Sequence, residues 1–121
     1  MLYIFALLLM IKTSNSRDDP DKDQAVLDSD RVELFFATSP ELKPYYTAEM
    51  DPKGRTFDAK ANFYREVDPS WNWETLQTVG EITPNGYVLT GKIDLDEFSK
   101  LNLWQDKDKQ ISHVRYFTRG I

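Results

Sequence analysis

The sequence predicts an all-β fold, an antiparallel β-sandwich with one short helix, on three observations. Short runs of alternating apolar and polar residues recur from Arg31 to Thr118. Turn signals built from Gly, Pro and Asn separate them. A single stretch, after Asp94, has helical spacing. At 121 residues the chain is one domain at most. Its 40% hydrophobic and 13% aromatic content favours a packed core over disorder.

The amino terminus has two readings. "LYIFALLLMI" places ten apolar residues at 2–11, too few to span a bilayer comfortably as a helix. With the small polar residues that follow, it reads as a secretory signal cut after Ser16, with Ser14 at the −3 position. Lys12 follows the apolar run, where a signal carries its charge before it. "LYIFALLL" reads equally as a first core strand. Residues 17–30, charged and broken by Pro20, read as an exposed loop, and 31–121 as the sandwich.

"RVELFFA" (31–37) turns Val32, Leu34 and Phe36 to one face and Arg31, Glu33 and Phe35 to the other. Two prolines in "SPELKP" end it. "YYTAEM" (45–50) sets Tyr46, Ala48 and Met50 opposite Tyr45, Thr47 and Glu49. In "DPKG" (51–54), Pro52 presets φ and Gly54 closes a β-turn. "RTFDAKANFYR" (55–65) lines one face with Phe57, Ala59, Ala61 and Phe63, suited to close packing against another sheet. Asn85-Gly86 joins "ETLQTVGEI" and "GYVLTGKID" as a hairpin. Asp94 and Glu97 have capping-box spacing ahead of the short helix. "QISHVRYFT" (110–118) is the last strand.

The formal net charge of −5 speaks against nucleic acid, whose binders carry basic patches. No basic run suggests a membrane surface. Without cysteine there is no disulfide, thiolate nucleophile or cysteine-based zinc site, and the single histidine, His113, cannot form a His-rich metal centre. "DDPDKD" (18–23) lacks EF-hand spacing and its Gly, so no metal and no cofactor is assigned. No nucleophile elbow, phosphate-cradling loop or nucleotide fingerprint occurs.

"DPSWNWETL" (68–76) puts two tryptophans two residues apart. In an extended backbone they point to the same side, as one broad aromatic surface. That surface is either the lid of the core or a platform for a flat ligand.

Five segments stand in one order: "DSDRVELFF", "YYTAEMDPKGRTFDAKANFYR", "DPSWNW", "GYVLTGKIDL" and "HVRYFTRG". Together they resemble the carbohydrate-binding module family 9-like domains, over Asp28 to about Gly120. The resemblance implies a β-sandwich of an exported protein, extracellular or periplasmic, that binds a glycan and transforms nothing. It also implies fusion to, or association with, a glycoside hydrolase. Family members carry further strands before the "VE-x-FF" strand and a closing segment after the last one.

Under that reading Trp71, Trp73 and Tyr46 offer apolar bodies with polar tips to sugar rings. Glu33 and Glu49 accept hydroxyl hydrogen bonds, and Arg31 or Arg65 donates a forked pair. Glu49 stands out because it interrupts an otherwise apolar and aromatic strand. Two readings from other classes are a structural or protein-docking sandwich and a small glycoside hydrolase, which needs paired carboxylates across a cleft.

Overall fold

The computed structural model describes residues 9–11, 16–105, 110–111 and 113–119. In chain order the elements are β1 (Leu9–Ile11), α1 (Lys22–Leu27), β2 (Arg31–Ala37), β3 (Tyr45–Met50), β4 (Thr56–Asn62) and β5 (Glu66–Asp68). Then come β6 (Gln77–Thr83), β7 (Gly86–Lys92), α2 (Leu95–Lys100), β8 (Trp104–Gln105), β9 (Gln110–Ile111) and β10 (His113–Arg119). All strand pairs are antiparallel. A five-stranded sheet runs β10-β2-β3-β4-β5, a three-stranded sheet runs β1-β7-β6, and β8 pairs with β9. The fold is the expected β-sandwich, with two short helices instead of one.

The core forms between the two larger sheets. Val32, Leu34 and Phe36 of β2 and Tyr46, Ala48 and Met50 of β3 meet Tyr87 and Leu89 of β7, with Ile93, Phe98, Leu103 and Trp73 completing the cluster. Phe36 meets Phe98 edge to face at 5.0 Å, and Trp73 stacks on Phe98 at 5.4 Å. Such ring pairs add to the burial of their apolar area.

Two turns behave as their residues dictate. Gly54 takes φ +79° and its N–H donates to Asp51 O at 2.9 Å, closing the β3–β4 turn. Thr83 and Gly86 pair across the β6–β7 hairpin. The first turn also presses on the other sheet. A Cβ at Gly80 of β6 would lie 2.2 Å from Pro52 O and 2.5 Å from Gly54 N. Beside it Thr78 Oγ1 donates to Gly54 O at 2.7 Å and lies 3.0 Å from Thr56 Oγ1. Only glycine permits backbone to meet backbone this closely.

Three expectations need correction. Residues 17–30 are not simply an exposed loop: Asp21 caps α1 through Asp23 N and Gln24 N, and Ala25, Val26, Ser29 and Asp30 are buried. The six-residue helix holds because it packs on β4 and β3. Within "DDPDKD", Asp18 is taken by Lys53 and Arg55, and Asp21 by the cap. Secondly, the Phe57–Ala59–Ala61 face of β4 is not the inter-sheet face. The register sets Asp58 opposite Ala48, so Asp58 lies on the core side and the alanines on the other. That second face is partly covered by α1, whose Leu27 O accepts from Arg31 Nη1 at 2.9 Å.

Thirdly, Asp94 begins α2 without a side-chain cap, and Glu97 does not close a capping box. The buried Glu97 carboxylate instead accepts from Glu74 N at 2.7 Å, Thr75 N at 2.9 Å and Thr75 Oγ1 at 2.5 Å. These amides follow the tryptophan segment and have no strand partner, so the carboxylate gains more there than at its own helix start.

Of the amino-terminal apolar run, only Leu9–Ile11 belong to the described residues, where they pair with Tyr87–Leu89 as β1. The signal-peptide reading of 1–8 and the residues just before Ser16 lie outside them. Among the described residues no helix is long and apolar enough to cross a membrane.

Candidate functional site

The candidate residues separate onto the two faces of the five-stranded sheet. Along β3 side chains alternate: Tyr46, Ala48 and Met50 enter the core, while Tyr45, Thr47 and Glu49 project from the second face. Tyr46 is therefore a core side chain, with its phenol pKa raised by burial.

Trp71 and Trp73 do not form a flat platform. They follow the Asp68–Pro69 turn in irregular backbone, where the same-side rule for strands does not operate. Their rings meet at 72° with centroids 5.1 Å apart. Trp73 is 6% exposed; its N–H donates to Asp58 Oδ2 at 2.8 Å and its indole Nε1 to Thr47 O at 3.0 Å. Trp71, half-buried, packs on Tyr46 at 4.9 Å. The pair closes the core on the side facing away from the expected hydrogen-bonding residues.

Glu33, Glu49 and Arg31 do come together on the second face. Glu33 stands opposite Glu49 across β2 and β3. Arg31 Nε lies 3.0 Å from Glu49 Oε1 and 3.5 Å from Glu33 Oε2. Both carboxyls are buried. Burial first, then the hydrogen bond and charge of Glu33, push the Glu49 pKa up to about 7, against the lowering pull of Arg31. Two carboxyls sharing a proton and a guanidinium make a satisfied cluster with little left for a ligand. Arg65 is remote from it, exposed at φ +68° with its guanidinium 4.6 Å from the centre of the Tyr64 ring.

Sequence reasoning missed the concavity next to this cluster. Two cross-strand rows build it: Arg115–Phe35–Thr47–Ala59, and Ala37–Tyr45–Ala61. Phe35 and Tyr45 form its floor with ring centroids 6.3 Å apart. Pro40 and Leu42 of the β2–β3 loop, Phe63 beyond β4, and Val114 and Arg115 of β10 supply the walls of a cleft of about 520 Å³. Phe63 N donates to Leu42 O at 2.9 Å and ties the two loops together. Leu42 holds φ +58°, a conformation that non-glycine residues keep only where neighbours impose it.

Seven large hydrophobic residues are exposed among the described residues. Three of them, Leu42, Phe63 and Val114, line this cleft, and Tyr64 follows Phe63 in the chain. A contiguous exposed apolar patch of this kind marks a binding surface. The usable signal was present in the sequence: Phe35 and Tyr45 fall on the same strand faces as Glu33 and Glu49.

The polar equipment of the cleft is one-sided. Arg115 and Tyr45 line it, and among the described residues no carboxylate or carboxamide side chain does. Two acceptors nearby are already engaged, Leu42 O by Phe63 N and Val114 O by Arg115 Nη1 at 3.1 Å. Thr47 Oγ1, buried in the same row as Phe35, has no partner among the described residues. Among the described residues no group of three His, Cys, Asp or Glu side chains could hold a metal ion.

No protein-family model matches the chain, and neither the curated proteins nor the solved structures supply a match.

Proposed function

We propose that this chain is a non-catalytic carbohydrate-binding module of an exported protein, as its resemblance to the family 9-like modules implies, and that the glycan sits in the Phe35–Tyr45–Phe63 cleft. One observation carries the reading: the half-buried rings of Phe35 and Tyr45 and the exposed ring of Phe63 gathered around a concavity on the second face of the five-stranded sheet. Pyranose rings present patches of C–H that rest on such rings, while hydroxyls reach polar tips at the rim. The volume falls within the range of about 300–1,000 Å³ usual for small-ligand sites.

The non-catalytic part rests on the carboxylates. Glycoside hydrolysis uses two carboxyl groups about 5–10 Å apart across the substrate. Among the described residues no carboxylate lines the cleft, and Glu33 and Glu49 are buried in contact with each other.

Calorimetric titration of the chain with soluble xylo-, cello- and manno-oligosaccharides, and with acidic oligosaccharides, tests the proposal. Saturable binding that Phe63→Ala weakens is the expected result. A folded sample giving no heat with any neutral or acidic sugar would refute it. The aliphatic Leu42, Val67 and Val114 favour a second reading, a protein-docking face, which gains in that event.

A further inference from the structure

We infer that the glycan taken by this cleft is anionic, a uronate whose carboxylate is gripped by Arg115. The inference rests on the carbohydrate-binding reading and narrows its ligand class. Neutral sugars offer hydroxyls, each both donor and acceptor, and are matched by sites that mix carboxylates or amides with donors. Among the described residues the one charged group lining this cleft is the guanidinium of Arg115, which donates and cannot accept, while the hydroxyls of Tyr45 and of Thr47 in the Phe35 row can do either.

Arg31 and Arg55 are held by Glu33, Glu49, Asp18 and Asp51. Arg115 has no carboxylate partner among the described residues. Its one side-chain hydrogen bond, to Val114 O, leaves most of its five N–H groups unused. A planar carboxylate is the complement of that fork. In a chain of net charge −5, a guanidinium that is the one charged group among the described lining residues also makes the local charge opposite to the global one.

The experiment compares three ligands of one shape on the full chain at low salt: trigalacturonate, its fully methyl-esterified form, and galactotriose. Trigalacturonate binding about tenfold tighter than the ester is the expected result, a ratio that Arg115→Gln brings close to one. Arg115→Lys keeps the charge and loses the fork, so the ratio falls to an intermediate value. Equal affinity for acid and ester, or a ratio unchanged in either variant, overturns the inference while leaving carbohydrate binding intact. A sulfated galactotriose that outbinds trigalacturonate overturns the carboxylate assignment. Binding of none of these, or of any neutral oligosaccharide, removes both readings together.

Discussion

Glu33 and Glu49 oppose each other across β2 and β3 with one guanidinium, that of Arg31, serving both. Because Glu49 titrates near 7 in the fold against an ordinary 4.5, the folded chain holds more protons than the unfolded one between those values. The stability from this group is fully present below about pH 4.5 and is lost as pH rises through about 7. Asp58, raised mainly by burial, acts in the same direction. Thermal melts from pH 4.5 to 8 should show a falling midpoint through that window, and Glu49→Gln should flatten the fall. A slope unchanged in the variant would contradict the assignment.

Gly80→Ala should be far more damaging than its one added carbon suggests. The new Cβ meets backbone atoms of Pro52 and Gly54, which no rotamer change can move aside. A loss of roughly 2–4 kcal/mol is expected from urea denaturation, in the upper range of overpacking effects.

Glu97→Ala removes the acceptor shared by Glu74 N, Thr75 N and Thr75 Oγ1. Orphaning two part-buried amides should cost roughly 2–4 kcal/mol, and Glu97→Gln, which keeps one acceptor oxygen, should recover part of it. Denaturation midpoints of the two variants measure the difference. If both equal the parent, the clamp is not an energetic feature.

Trp73 and Phe63 should answer to different assays. Trp73→Ala opens a hole beside Phe36 and Phe98 and should lower stability by about 3–5 kcal/mol. Phe63, 54% exposed, should tolerate Ala within about 0.5 kcal/mol and lose ligand affinity instead. Acrylamide should quench Trp71 emission more readily than that of Trp73.

Much of the fold was legible in the chain. β2 and β3 begin and end where alternation and prolines say they should, and the 51–54 turn and β6–β7 hairpin follow from local residues. What escaped depends on packing. The six residues of α1 form a helix only because β3 and β4 lie against them. β5 has just three residues, all exposed, and no alternation to read. The site was half legible: Arg31, Glu33 and Glu49 do assemble, but as a closed cluster. The tryptophans attracted attention by their rarity, whereas the cleft is lined by Tyr45, Phe63 and Phe35, which strand alternation left unremarked and the register brings together.

The alternation of β3 has an evolutionary corollary. Its even-numbered residues secure the inter-sheet core, while on the other face Thr47 and Glu49 are buried and Tyr45 reaches the exterior, so Tyr45 can drift independently of the core set. Replacing Tyr45 and its row neighbours could retarget the domain to another ligand while the hidden half of the same strand keeps the architecture constant.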